Sequence, residues 1–112
     1  YTSMTYIIYH LVYMTSILGK FKVGRLLQTN GIYTACIDNQ ELFNEIYECL
    51  KKYLECNWGD TCKEDSKMND SAVKNNDDRI VAKYNLKTIP KSIFIITEYD
   101  RSATTIMFCE EY

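Results

Sequence analysis

The sequence predicts a small α+β fold in which an antiparallel sheet packs against one long and one shorter helix. Two patterns indicate it: one segment repeats its apolar residues with a helical period, and three later runs are rich in β-branched and aromatic residues. The length of 112 residues is that of one ordinary domain. We therefore expect a single core, formed between the two helices and a C-terminal three-stranded meander with an added N-terminal strand.

The long helix is predicted over residues 39–56, where apolar and charged side chains separate onto two faces. The apolar face carries Leu42, Ile46, Cys49, Leu50, Tyr53 and Leu54. The opposite face carries Glu45, Glu48, Lys52 and Glu55. Asp38 stands three residues before Glu41, which is the spacing of a capping box and marks the start of the helix.

The shorter helix is predicted over residues 61–75, after an interruption at residues 57–60. Asp60 or Thr61, followed by Glu64, has the chemistry of a helix N-cap. Few apolar side chains are available for burial in this segment, which indicates a helix on the surface.

Three C-terminal strands are predicted over residues 79–85, 92–98 and 104–109. A loop containing Pro90 separates the first two, and residues 99–103 connect the last two. Links this short favour antiparallel pairing. Residues 20–29 predict the N-terminal strand, with Gly24 at a bulge, and Asn30 with Gly31 predicts a tight turn after it.

Residues 1–13 are apolar and aromatic but lack the basic segment and small-residue cleavage site of a secretory signal. The apolar stretch is also shorter than the about 20 residues that a membrane-spanning helix needs. Met14 resembles a natural start, so we expect residues 1–13 to be upstream readthrough or a fragment edge, and residues 14–112 to form the domain. The alternative is a native N-terminal strand or helix that covers part of the core.

The charge balance argues against binding to nucleic acid. The 13 basic and 15 acidic side chains give a net charge of −2, whereas nucleic-acid binding normally needs clustered Lys and Arg. The five cysteines follow no metal-ligand spacing and include no CxxC pair. We therefore expect reduced thiols, a cytoplasmic location, no metal and no cofactor.

Few side chains in the sequence suit catalysis. His10 is the only histidine, which leaves almost no material for a Ser/His/Asp or Cys/His arrangement. Five carboxylates at predicted element ends could meet to bind Mg²⁺ or act in acid–base chemistry: Asp60, Glu64, Asp65, Glu98 and Asp100. Helix capping, a solvated helix face and a polar hairpin turn explain the same residues without catalysis. We therefore assign no catalytic residue and favour a protein that is not an enzyme.

A candidate protein-binding surface consists of Trp58, Asp60, Glu98, Asp100 and Arg101. Tryptophan and arginine are among the residue types that dominate binding energy at interfaces. Each has a structural alternative here. The indole of Trp58 can cover the edge of the core, and Arg101 can pair with the two neighbouring acids to fix the hairpin.

Two segments have distinctive patterns: Trp58-Gly59-Asp60, and the run from Thr97 to Thr105 with its Asp100-Arg101-Ser102 centre. These segments resemble a family of small bacterial proteins. The resemblance also includes residues 27–32, the rest of 57–65 and 95–106, residues 110–112, and Asn69, Asp70, Ala72, Arg79 and Ile80. These proteins are carried on plasmids, integrative elements and phages. They are often labelled plasmid-related proteins, or mislabelled as subunits of type I restriction–modification systems.

The resemblance covers about residues 14–112 and supports Met14 as the start. The chain departs from the family pattern at Asn30, where an Arg is common, at Phe94, where a Trp is common, and at Cys109, near an expected Pro. The family supplies no activity to transfer. What the resemblance implies is a context, a cytoplasmic protein of a mobile genetic element.

We therefore expect an accessory protein that binds a host or element-encoded protein. One form of this function is to modulate or inhibit a host defence system. One alternative is a small carboxylate-dependent enzyme that acts on nucleic acid or nucleotide through acids near Asp60 and Asp100. Another is a regulatory partner of the element's own replication or transfer machinery. Clustered acids around an open pocket would favour the enzyme, and an exposed patch of aromatic residues with arginine would favour binding.

Overall fold

The computed structural model describes residues 2–3 and 19–112, and this part of the chain contains three α-helices and one mixed sheet. The helices are α1 (Asn30–Cys36), α2 (Gln40–Leu54) and α3 (Lys63–Asn75). The strands are β1 (Thr2–Ser3), β2 (Arg25–Gln28), β3 (Ile80–Asn85), β4 (Ser92–Thr97) and β5 (Ala103–Phe108), and a 3-10 helix, Cys109–Glu111, follows β5. The predicted α+β class is confirmed. None of the described helices is long and apolar enough to cross a membrane.

The sheet has the strand order β1-β2-β5-β4-β3. β3, β4 and β5 pair in succession as antiparallel neighbours, with Ala82 opposite Ile95 and Ile95 opposite Ile106. β2 instead runs parallel to β5, with Leu26 opposite Thr104. The expected all-antiparallel sheet is therefore wrong, because the chain reaches β5 from β2 through a long crossover that contains the helices, and not through a hairpin.

β1 pairs antiparallel with β2 through the backbone of Thr2 and Ser3. The rest of residues 1–13, and the expectation that this segment is not native, lie outside the described residues.

Helix α2 is the main helix of the core. Its buried side chains are Leu42, Ile46, Cys49, Leu50, Tyr53 and Leu54. They are the apolar face that the helical period predicts. The helix begins at Gln40 because the Asn39 side chain accepts a hydrogen bond from the Leu42 amide at 3.1 Å. Asn39 therefore caps the helix in place of Asp38, and the predicted limits of 39–56 shorten to Gln40–Leu54.

Helix α1 occupies the segment for which a tight turn was predicted at Asn30 and Gly31. The Thr29 hydroxyl caps it by accepting a hydrogen bond from the Ile32 amide at 3.2 Å. The same hydroxyl donates to the Glu111 carboxylate at 2.8 Å, which ties the start of α1 to the segment after β5. The predicted turn is thus wrong, since tertiary contacts and a side-chain cap stabilise a short helix that has little local signal.

Buried hydroxyl groups join α2 to β3, β4 and β5. The Tyr53 hydroxyl donates to the Ile80 carbonyl at 3.3 Å and lies 2.6 Å from Thr97 Oγ1. Thr97 Oγ1 is 2.7 Å from Thr104 Oγ1, which donates to the Val23 carbonyl at 2.8 Å. Burial raises the pKa of Tyr53 well above its ordinary value, so its phenol stays neutral. The core thus contains polar groups whose hydrogen bonds fix one position of α2 on the sheet.

A carboxylate on α2 holds the loop between β3 and β4. Glu45 accepts hydrogen bonds from the amide of Lys87 at 2.6 Å and from the amide of Thr88 at 2.9 Å. Desolvation of the carboxylate opposes its ionisation, but these hydrogen bonds and the charge of Lys87 outweigh that effect. The pKa of Glu45 is therefore lowered from its ordinary value.

Glu45→Gln is expected to destabilise the protein above about pH 5 and to matter less as the pH falls. A carboxylate whose pKa is lower in the folded state stabilises the fold above its unfolded pKa, and this contribution is lost as the pH falls through the folded pKa. The check is the thermal unfolding midpoint of wild type and variant from about pH 7 to about pH 3. Glu41→Gln, at an exposed position of α2, is the control. A pH-dependent difference of equal size at Glu41 would contradict the role of Glu45.

Candidate functional site

Trp58, the first residue of the predicted binding surface, lies in the core. Its side chain is 6% exposed, and its ring packs against Tyr53 and Phe21 at centroid distances of 5.5 and 6.1 Å. The indole N–H donates to the Asp70 carboxylate of α3 at 2.8 Å. Both the ring and its polar atom are engaged within the fold, as in the core-edge alternative.

The outer edge of β3 is covered by side chains from α3 and from the loop before it. The Asn69 side chain donates to the Val81 carbonyl at 2.8 Å and accepts from the Val81 amide at 3.2 Å, as a neighbouring strand would. The Lys83 amide donates to Thr61 Oγ1 at 2.8 Å, and the Lys83 carbonyl accepts from the Asp60 amide at 2.9 Å. We call Asp60, Thr61 and Asn69 the edge cover.

The Asp60 carboxylate completes the edge cover by accepting a hydrogen bond from the Asn85 amide at 2.8 Å. The N-cap position of α3 is Cys62, which makes no side-chain capping hydrogen bond. The predicted helix cap at Asp60 or Thr61 is therefore wrong. Both side chains bind β3 instead, because the amides on the open edge of a sheet need acceptors.

Arg101 is 9% exposed and binds main-chain carbonyl groups. Its Nη1 donates to the carbonyls of Asp78 at 2.6 Å, Tyr99 at 3.1 Å and Glu98 at 3.2 Å. Its Nη2 donates to the Ala72 carbonyl in the last turn of α3 at 2.9 Å, where the helix dipole also favours a positive charge. The expected pairing of the guanidinium with neighbouring carboxylates is wrong, since these hydrogen bonds go to backbone oxygens.

The backbone of Arg101 is also constrained, by its own conformation and by a close neighbour. Arg101 has a φ of 61°, in the left-handed region. Gly24, also at positive φ, approaches the backbone of Arg101 and Ser102 so closely that a Cβ atom there would overlap it. Among the described residues, the buried Nε of Arg101 has no hydrogen-bond partner. The β4–β5 turn is thus built around Arg101 and joined by it to α3.

Glu98 and Asp100 are exposed on the same turn. Asp100 accepts a hydrogen bond from the Ser102 amide at 2.9 Å. The side chain of Ser102 and this amide together lower the pKa of the Asp100 carboxyl group. This turn follows Thr97, the partner of the first residue of β3, whereas Asp60 binds the last residue of β3. Asp60 is thus separated from the turn by the length of β3, about 16 Å at about 3.3 Å per residue.

The carboxylates considered for Mg²⁺ are dispersed in the same way. Glu64 and Asp65 lie in the first turn of α3, where negative charge favours the helix. Within residues 2–3 and 19–112, no three His, Cys, Asp or Glu side chains are placed to hold a metal ion.

An open groove of about 270 Å³ lies beside α3, on the side of the sheet that is turned away from the core. It is lined by Asp65, Met68, Asn69, Asp78, Arg79, Val81, Phe94 and Tyr112. Val81 and Phe94 belong to the outer face because they alternate with the buried core residues Ile80 and Ile95. We call this feature the α3 groove.

The α3 groove concentrates exposed apolar and aromatic side chains beside an arginine. Met68 is 61% exposed and Tyr112 is 65% exposed. The rings of Phe94 and Tyr112 meet edge to face at a centroid distance of 5.4 Å. The Arg79 guanidinium lies 6.0 Å from the centroid of the Tyr112 ring, within cation–π range. The groove thus brings apolar and aromatic side chains together with a guanidinium.

Sequence reasoning assigned none of these four residues to a site. Phe94 gave a partial signal, because the successive apolar positions around it indicated a strand covered on both faces. Met68, Arg79 and Tyr112 gave none, since they come from separate segments that only the tertiary fold brings together.

Comparison with known proteins finds no matching family model, no matching curated protein and no matching solved structure. No relative thus indicates an activity or a partner for the α3 groove.

Proposed function

We propose that this chain is an accessory protein of a mobile genetic element that acts in the cytoplasm by binding another protein through the α3 groove. The observation that carries the proposal is the group formed by the exposed Met68, Arg79 and Tyr112 with the half-buried Phe94. Single exposed apolar residues are ordinary, whereas several that line one concavity with an arginine are typical of an interaction site. The mobile-element context is supported by the resemblance of the segments around Trp58 and Arg101 to small plasmid and phage proteins.

The partner is a host or element-encoded protein. Modulation or inhibition of a host defence system, and regulation of the element's own replication or transfer machinery, are two forms of the same proposal, because both need a protein-binding surface. No observation favours the carboxylate-dependent enzyme, since the acids in question lie on separate elements and those at Asp60 and Asp100 bind backbone amides.

Met68→Ala and Tyr112→Ala are each expected to weaken binding of the partner about tenfold or more, because apolar and aromatic anchors dominate interface energies. The full chain serves as bait in an extract of bacteria that carry such an element, and mass spectrometry identifies retained proteins. Titration calorimetry with the purified partner then compares wild type and variants. Both residues are exposed, so the free energy of unfolding of each variant should stay within about 0.5 kcal/mol of that of wild type.

Ile37→Ala is the matched control for Met68→Ala, because both side chains are 61% exposed on a helix or at its end. Tyr33→Ala, in helix α1, is the control for Tyr112→Ala because Tyr33 is also an exposed tyrosine. Both controls are expected to bind the partner within about twofold of wild type. Loss of binding at Ile37 and Tyr33, with no loss at Met68 and Tyr112, would place the interface on α1 and refute the groove.

A further inference from the structure

The α3 groove is only in part apolar, since two carboxylates and one guanidinium also line it. Asp65 and Asp78 are exposed, and the ion pairs within residues 19–112 are Lys51–Glu48 and Lys91–Glu110. Neither carboxylate is therefore paired with a described cation.

Arg79, the one cation among the described lining residues, lies over the Tyr112 ring and forms part of the aromatic wall. The two carboxylates outnumber it, so the described lining carries a net negative charge beside its apolar residues. One oxygen of Asp78 accepts a hydrogen bond from the Arg79 amide at 2.7 Å. A partner that covered the groove with only apolar groups would remove water from Asp65 and from the other Asp78 oxygen without replacing the lost hydrogen bonds. An acidic partner would add charge repulsion.

The volume of the groove limits what it can hold. At about 270 Å³ it lies at the lower end of the about 300–1,000 Å³ of typical small-molecule sites. This volume accommodates a few side chains of a larger partner.

The edge cover limits how a peptide can lie in the groove. The amides of Val81, Lys83 and Asn85 already donate to Asn69, Thr61 and Asp60. A peptide cannot add to β3 as a further strand without displacing these bonds. Recognition must therefore come from the side chains of the peptide.

Resting on the protein-binding function, we propose that the occupant of the α3 groove is a protein segment with a lysine or arginine flanked by apolar side chains. The basic group pairs with Asp65 and Asp78. The apolar neighbours pack on Met68, Phe94 and Tyr112, and the rings of Phe94 and Tyr112 also attract the cation.

Random peptides displayed on phage and selected on the full 112-residue chain test this inference. Enriched peptides are expected to carry Lys or Arg beside Leu, Phe or another apolar residue. A synthetic enriched peptide should lose about three- to tenfold in affinity for the double variant Asp65→Asn with Asp78→Asn. Raising the salt from about 0.05 M to about 0.5 M should weaken binding to wild type more than to this variant.

Replacing the basic residue of the peptide by glutamine closes a double-mutant cycle. This change should weaken binding to wild type and have little further effect on the Asp65/Asp78 variant. Asp70→Asn is unsuitable as a control because Asp70 holds Trp58, so Asp38→Asn, exposed before α2, serves instead. It should leave peptide affinity unchanged.

The outcomes separate this inference from the function on which it rests. Peptides without basic residues that still lose binding on Met68→Ala or Tyr112→Ala would refute the basic partner and keep the groove as a binding site. Peptides whose affinity is unchanged by every groove variant would refute both the basic partner and the groove as a binding site. The absence of any enriched peptide would do the same.

Discussion

Replacing Arg101 with alanine is expected to lower the free energy of unfolding by about 2–4 kcal/mol. The change removes the guanidinium donors of three backbone carbonyls, those of Ala72 at the end of α3, Asp78 before β3 and Tyr99 in the turn. The Glu98 carbonyl keeps its hydrogen bond from the amide of residue 101. Buried carbonyls left without donors cost free energy, and the packing of the side chain is lost as well. Urea unfolding of wild type and variant measures the difference.

Arg79→Ala is the control, because it removes an exposed guanidinium from the residue that follows Asp78, whose carbonyl Arg101 binds. Its effect is expected to stay within about 1 kcal/mol. Arg101→Lys should recover only part of the loss, since a single ammonium cannot reproduce the planar fork that reaches Asp78 and Ala72 together. Equal stabilities of the Arg101 and Arg79 variants would show that Arg101 does not join α3 to the turn.

Ile46→Ala is expected to lower the free energy of unfolding by about 2–5 kcal/mol through lost burial and the cavity left behind. Ile46 is 3% exposed on the core face of α2. For a chain of this size, each 1 kcal/mol corresponds to a fall of about 4–8 °C in the thermal midpoint, so a thermal scan resolves the effect.

Glu48→Ala tests the phase of the same helix. Glu48 is exposed and pairs with Lys51 at 3.0 Å, an arrangement that contributes little to stability. Its removal is expected to change stability by no more than about 0.5 kcal/mol. Similar losses at Ile46 and Glu48 would mean that the apolar face of α2 is not the one buried.

The parts of the fold that were predictable are those with a strong local pattern. The buried face of α2 follows from its 3.6-residue period, which one strip of core contacts imposes. Helix α1 was missed because its seven residues carry a weak pattern, and its cap at Thr29 also depends on Glu111, far away in sequence. The parallel pairing of β2 with β5 was missed because no local signal specifies which strand lies beside another.

The candidate site was less predictable, for a related reason. Trp58 and Arg101 are residue types that suit interfaces and interiors equally, and only their distant partners Asp70 and Ala72 show that both are engaged within the fold. The two most distinctive segments of the sequence thus hold α3 against the sheet. The α3 groove, by contrast, is assembled from residues of ordinary type, such as Met68 and Phe94, whose proximity is a product of folding.

The edge cover also determines which local motion exposes the edge of the sheet to pairing with another chain. Asp60, Thr61 and Asn69 all belong to α3 or to the loop before it, so detachment of this one element would uncover three strand amides at once. Such local opening requires less free energy than global unfolding. Hydrogen exchange at Val81, Lys83 and Asn85 would report it as one cooperative event. Aggregation through β3 would then depend on how often α3 detaches, and it would not require global unfolding.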